Sequence, residues 1–223
     1  MNNKKGIAVV FLVCGLVLAA LVGYSYLRAP RATAEIRDGK GDVVGHATFI
    51  QRSDGVHITV TVVTLSPGKH GIHIHSVGKC DSPDFNTAGG HFNPEGKHHG
   101  LENPNGPHAG DLPNLEAADD GTGTLQYINP LVSLSVGASN SLLKVNGTSI
   151  MIHAKSDDQM TDPSGNSGPR VACGVIVAVE PGLGPVPGWL FGILAVILIL
   201  VGLALLSISL KKIPWASNSL TGS

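Results

Sequence analysis

Apolar and polar positions divide this chain into three parts. Gly6 to Leu27 is a run of 22 residues without a charged side chain, and Trp189 to Leu210 is a second run of 22. As a helix each run would be about 33 Å long, enough to cross the hydrocarbon layer of a bilayer. The first run follows Lys4-Lys5 and places a signal anchor or signal peptide over residues 1–33. Its length exceeds the roughly 7–15-residue apolar core of a cleaved signal, which favours an uncleaved anchor. Ala32-Thr33-Ala34 has the small-x-small form of a cleavage site, but it lies late, after two arginines and a proline. The second run predicts a transmembrane helix over 189–210. Trp189 suits the membrane interface and Lys211-Lys212 the cytoplasmic side.

The middle of the chain has a different period. Ala47–Gln51, His57–Val63 and Gly174–Val179 are β-branched runs that alternate or are continuously apolar, as strands do. Gly39-Lys40-Gly41, Ser53-Asp54-Gly55, Ser66-Pro67-Gly68 and Asp119-Asp120-Gly121 are turn signals between them. No amphipathic helix of useful length appears. Short strands at close spacing predict an all-β antiparallel sandwich or barrel over residues 34–180. Gly/Pro-rich residues 181–188 form a tether, and 211–223 a short polar tail.

Aromatic residues make up 4% of the chain, so the core must be built from Val, Ile, Leu and Ala. The formal charge of −1 conceals an asymmetry. Between Glu35 and Glu180 there are sixteen Asp and Glu but nine Lys and Arg, a formal charge of −7. The other six basic residues flank the apolar ends. An acidic domain is a poor nucleic-acid binder, and it attracts anions only where charge is arranged locally.

Candidate chemistry is concentrated between His70 and Asp111, which holds seven of the ten histidines. His73 and His75 are one residue apart, so both imidazoles leave the same face of a strand. His91, His99, His108 and Asp111 follow in a Gly/Pro/Asn-rich segment, and His153 comes far downstream, with Asp157 and Asp158 close behind. Imidazole and carboxylate together suit zinc and copper. The pattern points to a two-metal site on a strand and a long ordered loop.

These residues resemble the copper,zinc superoxide dismutase family. The matching segments are Gly71-Ile-His73-Ile-His75, Gly89-Gly90-His91-Phe92-Asn93-Pro94, His108-Ala109-Gly110-Asp111, Ile152-His153 and Gly168-Pro169-Arg170-Val171-Ala172-Cys173-Gly174. The resemblance covers roughly residues 34–180. It implies a Greek-key β-sandwich or barrel of about eight strands and a superoxide-disproportionating oxidoreductase. It implies copper held by His73, His75, His91 and His153, and zinc held by His91, His99, His108 and Asp111, with His91 common to both. Asp157 would link a copper histidine to a zinc histidine, with Asp158 as the alternative. Arg170 would sit beside the open copper position and orient the anion, and Pro169 before it departs from the residue expected there. Cys80 and Cys173 would form a disulfide, with two free buried thiols as the alternative; an exported location favours the bond. Cys14 reads as a small apolar residue of the first run. His46, His57, His70 and His98 read as surface or satisfied core residues, Lys155 as a weak contributor to the local field, and Asn146-Gly147-Thr148 as a turn rather than a glycosylation site. Expected partners are superoxide, membrane lipid through the terminal helices, and a second copy of the chain, with no nucleic acid. A non-enzymatic copper- and zinc-binding relative is the alternative, and such a relative would be expected to lack a ligand or the arginine.

Overall fold

The computed structural model describes residues 14–17, 29–179 and 202. All of its β structure lies in one compact unit, Ala29–Pro181. Ten strands follow in chain order. They are β1 (Arg31–Asp38), β2 (Val43–Arg52), β3 (Gly55–Val62), β4 (Gly68–His70), β5 (Ile72–His75), β6 (Leu115–Ala117), β7 (Gly123–Asn129), β8 (Ser149–His153), β9 (Arg170–Val175) and β10 (Val177–Val179). The expected count of about eight is corrected to ten because two strands are interrupted. Gly71 separates β4 from β5, and Ile176 separates β9 from β10.

All pairings are antiparallel. The strands run β4-β6-β7-β3-β2-β1-β9-β8-β5, with β10 on β1. The two ends of this path, β4 and β5, are consecutive in the chain, so the sheet closes on itself as a flattened barrel. The β3–β7 neighbours lie far apart in sequence, which is the Greek-key crossover. Alternation decides which residues fill the interior. Ala32, Ala34 and Ile36 of β1, Ala47 and Phe49 of β2, and Val56, Ile58, Val60 and Val62 of β3 are all buried in one cluster. Phe49 is the sole phenylalanine among these strand residues, and the rest is aliphatic, as the shortage of aromatics requires.

β1 begins three residues before the expected domain boundary. Ala32-Thr33-Ala34 is therefore strand, and its two alanines are small because they face the core. Strands β5 and β8 are buried on both faces. Ile72, Ile74, Ile150 and Ile152 point into the barrel, while His73, His75, Met151 and His153 point outward and are covered by loops. Those loops are residues 76–114 and 154–169. Among the described residues no helix is long and apolar enough to cross a membrane. The expected helix at 189–210 lies, apart from Gly202, outside the described residues, as do the tail and nearly all of the N-terminal run and the tether.

Candidate metal centre

The barrel wall supplies three of the site histidines and the loops supply the rest. His73 and His75 project from the outer face of β5, and His153 from the end of adjacent β8. The 76–114 loop folds back over them: Ile74 exchanges backbone hydrogen bonds with Gly110 and Phe92. That return brings His91 opposite His75 and Asp111 opposite His73 in bridge-like pairs. The Cys80–Cys173 disulfide ties the loop to β9, with Cα atoms 5.6 Å apart. Phe85, Ala88 and Met151 pack around it as a small second core.

His73, His75, His91 and His153 each have one ring nitrogen committed and one released. His75 donates from Nδ1 to the Gly89 carbonyl at 2.8 Å, and His153 donates from Nδ1 to the Gly168 carbonyl at 2.9 Å. His73 uses Nε2 toward Asp157 Oδ2 at 2.7 Å. The nitrogens left over, His73 Nδ1, His75 Nε2, His91 Nε2 and His153 Nε2, are buried and have no hydrogen-bond partner among the described residues. Buried polar atoms are normally paired, so four orphans in one place need an explanation. One ligand atom from each of these residues can be taken so that all four lie within 4.8 Å of one another. Burial lowers His73 to about 3 and His153 to about 4, and holds His75 well below the ordinary imidazole value. Their released nitrogens therefore carry lone pairs at neutral pH, as metal ligands must.

A second cluster lies behind His91. His91 Nδ1, His99 Nδ1 and His108 Nδ1 approach Asp111 Oδ1 at 2.9, 3.1 and 3.3 Å. Three imidazoles and a carboxylate at this spacing match a closed tetrahedral zinc site. Burial opposes ionisation of Asp111, but hydrogen bonds to His108, His91 and His99 and the Gly100 amide hold it far below the carboxylate range. Burial also works against His99, yet bonds to Asp111 and Asp157 raise it to about 9. The donor sets fit one metal of each kind, sharing His91.

Asp157 joins the clusters. Its Oδ2 accepts from His73 and its Oδ1 from His99 at 3.0 Å, while Asp158 is exposed and organises its own turn through Thr161, Met160 and Asn166. The adjacent pair His98 and His99 is also separated: His99 is fully buried, and His98 faces solvent against Asp162. Arg170 donates to the Phe85 carbonyl at 2.7 Å and the Gly89 carbonyl at 2.6 Å, which fixes its fork. It opens on a cavity of about 510 Å³ lined also by His75, His91, His153 and Asp84. Lys155 packs its stem beside Gly168 and does not line this cavity. Asn146 to Thr148 is a turn, closed by Gly147 N on Lys144 O.

Several residues that hold the site gave no signal of that role in the sequence. His70 is the satisfied core histidine that was one of its two expected readings, but its link to the site was not marked: it is buried and spans from the His153 carbonyl at 2.7 Å to the Ser66 carbonyl at 2.8 Å. Asn114 clamps Asp157 through both its backbone groups, at 2.8 Å each. Gly100 donates to Asp111 Oδ2, and a Cβ there would lie 2.1 Å from the Gln159 carbonyl oxygen. All of these act through backbone groups, which a one-dimensional pattern does not display.

Residues 43–176 match the family model described as copper/zinc superoxide dismutase. The chain is 46% identical over 159 residues to superoxide dismutase [Cu-Zn] 1 of Aquifex aeolicus, covering 71% of this chain and 94% of that protein. The crystal structure of a superoxide-dismutase-like protein from Bacillus subtilis is similar at TM-score 0.63 and 40% identity, over 65% of this chain and 97% of that one. The Cu/Zn superoxide dismutase of Brucella abortus is similar at TM-score 0.55 and 31% identity, over 66% and 99%.

Proposed function

Because the chain belongs to the copper/zinc superoxide dismutase family, we propose that it disproportionates superoxide while tethered to a membrane, with its β domain on the extracytoplasmic side. The reaction converts two superoxide ions and two protons into oxygen and hydrogen peroxide. The observation that carries the reading is the cluster of four partnerless buried nitrogens beside Arg170. His73 Nδ1 and the Nε2 atoms of His75, His91 and His153 would hold copper. The Nδ1 atoms of His91, His99 and His108, with Asp111, would hold zinc. Bound copper supplies one-electron redox chemistry, which zinc cannot.

The chain's own residues do the rest. Arg170 keeps its charge and presents a planar fork, so it can orient a small anion at the cavity floor. The Phe85 and Gly89 carbonyls hold that fork still. His91 is committed at Nδ1 to the Asp111 cluster and presents Nε2 on the cavity side, where it can hold a proton within reach of a reduced oxygen species. Asp157 and the Gly89 and Gly168 carbonyls keep His73, His75 and His153 in fixed orientation, so little reorganisation accompanies turnover. Full-length protein purified in detergent should contain one copper and one zinc per chain and consume superoxide. His91→Ala should reduce the content of both metals and remove most activity while the β structure persists. Full activity with zinc alone would exclude the copper assignment.

Tethering rests on the two apolar runs, each flanked outside by a lysine pair, which the positive-inside tendency places in the cytoplasm. Arg31 pairs with Val179, so the chain enters and leaves the domain side by side, as two spans of one membrane would require. The Cys80–Cys173 bond suits an oxidising compartment. Membrane lipid and superoxide are the proposed partners, and a second copy of the chain is the candidate protein partner. Protease added to intact spheroplasts should reach the domain, cutting first within residues 181–188. Digestion only after lysis would invert the topology.

A further inference from the structure

Among the described residues, the charged side chains lining the reaction cavity, histidines aside, are Arg170 and Asp84. Arg170, at the start of β9, reaches with its side chain to the turn that carries Asp84. Phe85, whose carbonyl receives Arg170 Nη1, directly follows Asp84 and has a left-handed backbone with φ of 56°. Asp84 is exposed, and its oxygens accept from the Asn86 amide at 3.2 Å and the Asn86 side chain at 2.6 Å. Those bonds fix where the carboxylate sits but leave its charge in place. The geometry thus puts a negative charge at the rim of a cavity whose floor attracts anions. Burial lowers Arg170 from its ordinary value, and the Asp84 carboxylate works the other way, favouring the charged form, so the two groups feel one another's field.

We infer that Asp84 is a specificity-determining residue of this cavity: it weakens the attraction of Arg170 for anions and penalises a doubly charged anion more than singly charged superoxide. Coulomb energy is proportional to the charge of the visitor. A penalty that costs a monoanion some factor therefore costs a dianion about the square of it. Superoxide is a small monoanion, whereas common competing oxyanions such as hydrogen phosphate carry two charges. Asp84 gives up some rate and in return keeps the cavity clear of them. The inference rests on the dismutase reading for its substrate, but anion binding can be measured without turnover.

The test uses the full-length, copper- and zinc-loaded protein at low ionic strength. Azide serves as the monoanion probe, titrated by its copper absorption, and phosphate at pH 8 as the dianion, measured by displacement of azide. Asp84→Asn keeps an acceptor for Asn86 and removes the charge. It should raise the superoxide rate constant and azide affinity about two- to threefold, and phosphate affinity about four- to ninefold, on the scale of exposed charge pairs. The gains should shrink at physiological salt. Asp119→Asn, the same charge change at an exposed turn away from the cavity, should alter none of these. No change in Asp84→Asn, an equal change in Asp119→Asn, or loss of copper with weaker azide binding would each overturn the inference. Parent protein inert toward superoxide, but with the azide and phosphate ratios intact, would count against the dismutase reading while supporting the role of Asp84.

Discussion

At the residue scale, the joint between the two metal clusters is one carboxylate with no slack around it. Asp157 is held through its backbone by Asn114, and its two oxygens engage His73 and His99. Gly165 lies against it with φ of +60°, and a Cβ there would fall 1.6 Å from Asp157 Oδ1 and 2.8 Å from His99 Nε2. Gly165→Ala must therefore move the carboxylate as well as strain the backbone. Outer partners of metal ligands typically contribute a factor of about 10–100 in affinity. Gly165→Ala should lose about that much zinc and copper affinity in equilibrium dialysis, with the far-UV spectrum unchanged. Retention of both metals at parental affinity would mean that Asp157 does not position the ligands. Nothing in the sequence marks Gly165, because a glycine between Ser164 and Asn166 reads as an ordinary turn. The ligand-type residues were legible because His-x-His on a strand and a histidine-dense loop have no packing explanation; the residues that orient them have only ordinary ones.

At the scale of elements, the strands were legible where β-branched residues mark them. β-branched runs marked β2, β3 and the β9–β10 segment, whereas β1 was not marked, because it alternates in the structure with small residues at Ala32 and Ala34 that read as a cleavage-site pattern. The interruptions were not legible, because Gly71 and Ile176 break pairing through tertiary contacts: Gly71 N bonds to Lys155 O and Ile176 N to Thr148 O. Strands β5 and β8 carry a further consequence. Their outer faces are buried under the 76–114 loop, and the disulfide from Cys80 to Cys173 pins that loop three residues beyond Arg170. The same loop supplies the Phe85 and Gly89 carbonyls that fix Arg170. Cys80→Ser should cost about 2–5 kcal/mol of stability. It should also lower activity by more than it lowers copper content, because it loosens the arginine and leaves the ligand-bearing strands in place. Activity and copper falling in strict proportion would assign the bond a purely structural part.

For the whole domain, the metals and the proton compete for the same nitrogens, and the sign of that competition can be worked out. In metal-stripped protein His73 and His153 are lowered to about 3 and about 4 by burial. Their contribution to stability is complete above the unfolded histidine value near 6.5 and is lost as pH falls toward their folded values, since the unfolded chain then binds protons that the folded one refuses. His99 behaves oppositely. Raised to about 9, it contributes fully below 6.5, and that contribution is lost as pH rises through 9. Stability of the stripped domain should therefore peak near pH 6.5. The acid limb involves at least two protons and the alkaline limb one, at about 1.4 kcal/mol per pH unit for each proton, so the acid limb should be at least about twice as steep. Copper and zinc occupying these nitrogens exclude the protons, and both limbs should flatten in the loaded protein. Thermal unfolding from pH 5 to 9, with and without chelator, measures this directly. A stripped protein whose midpoint does not fall between pH 6.5 and 5, or a loaded protein with the same dome, would show that these histidines are not the groups the metals displace protons from.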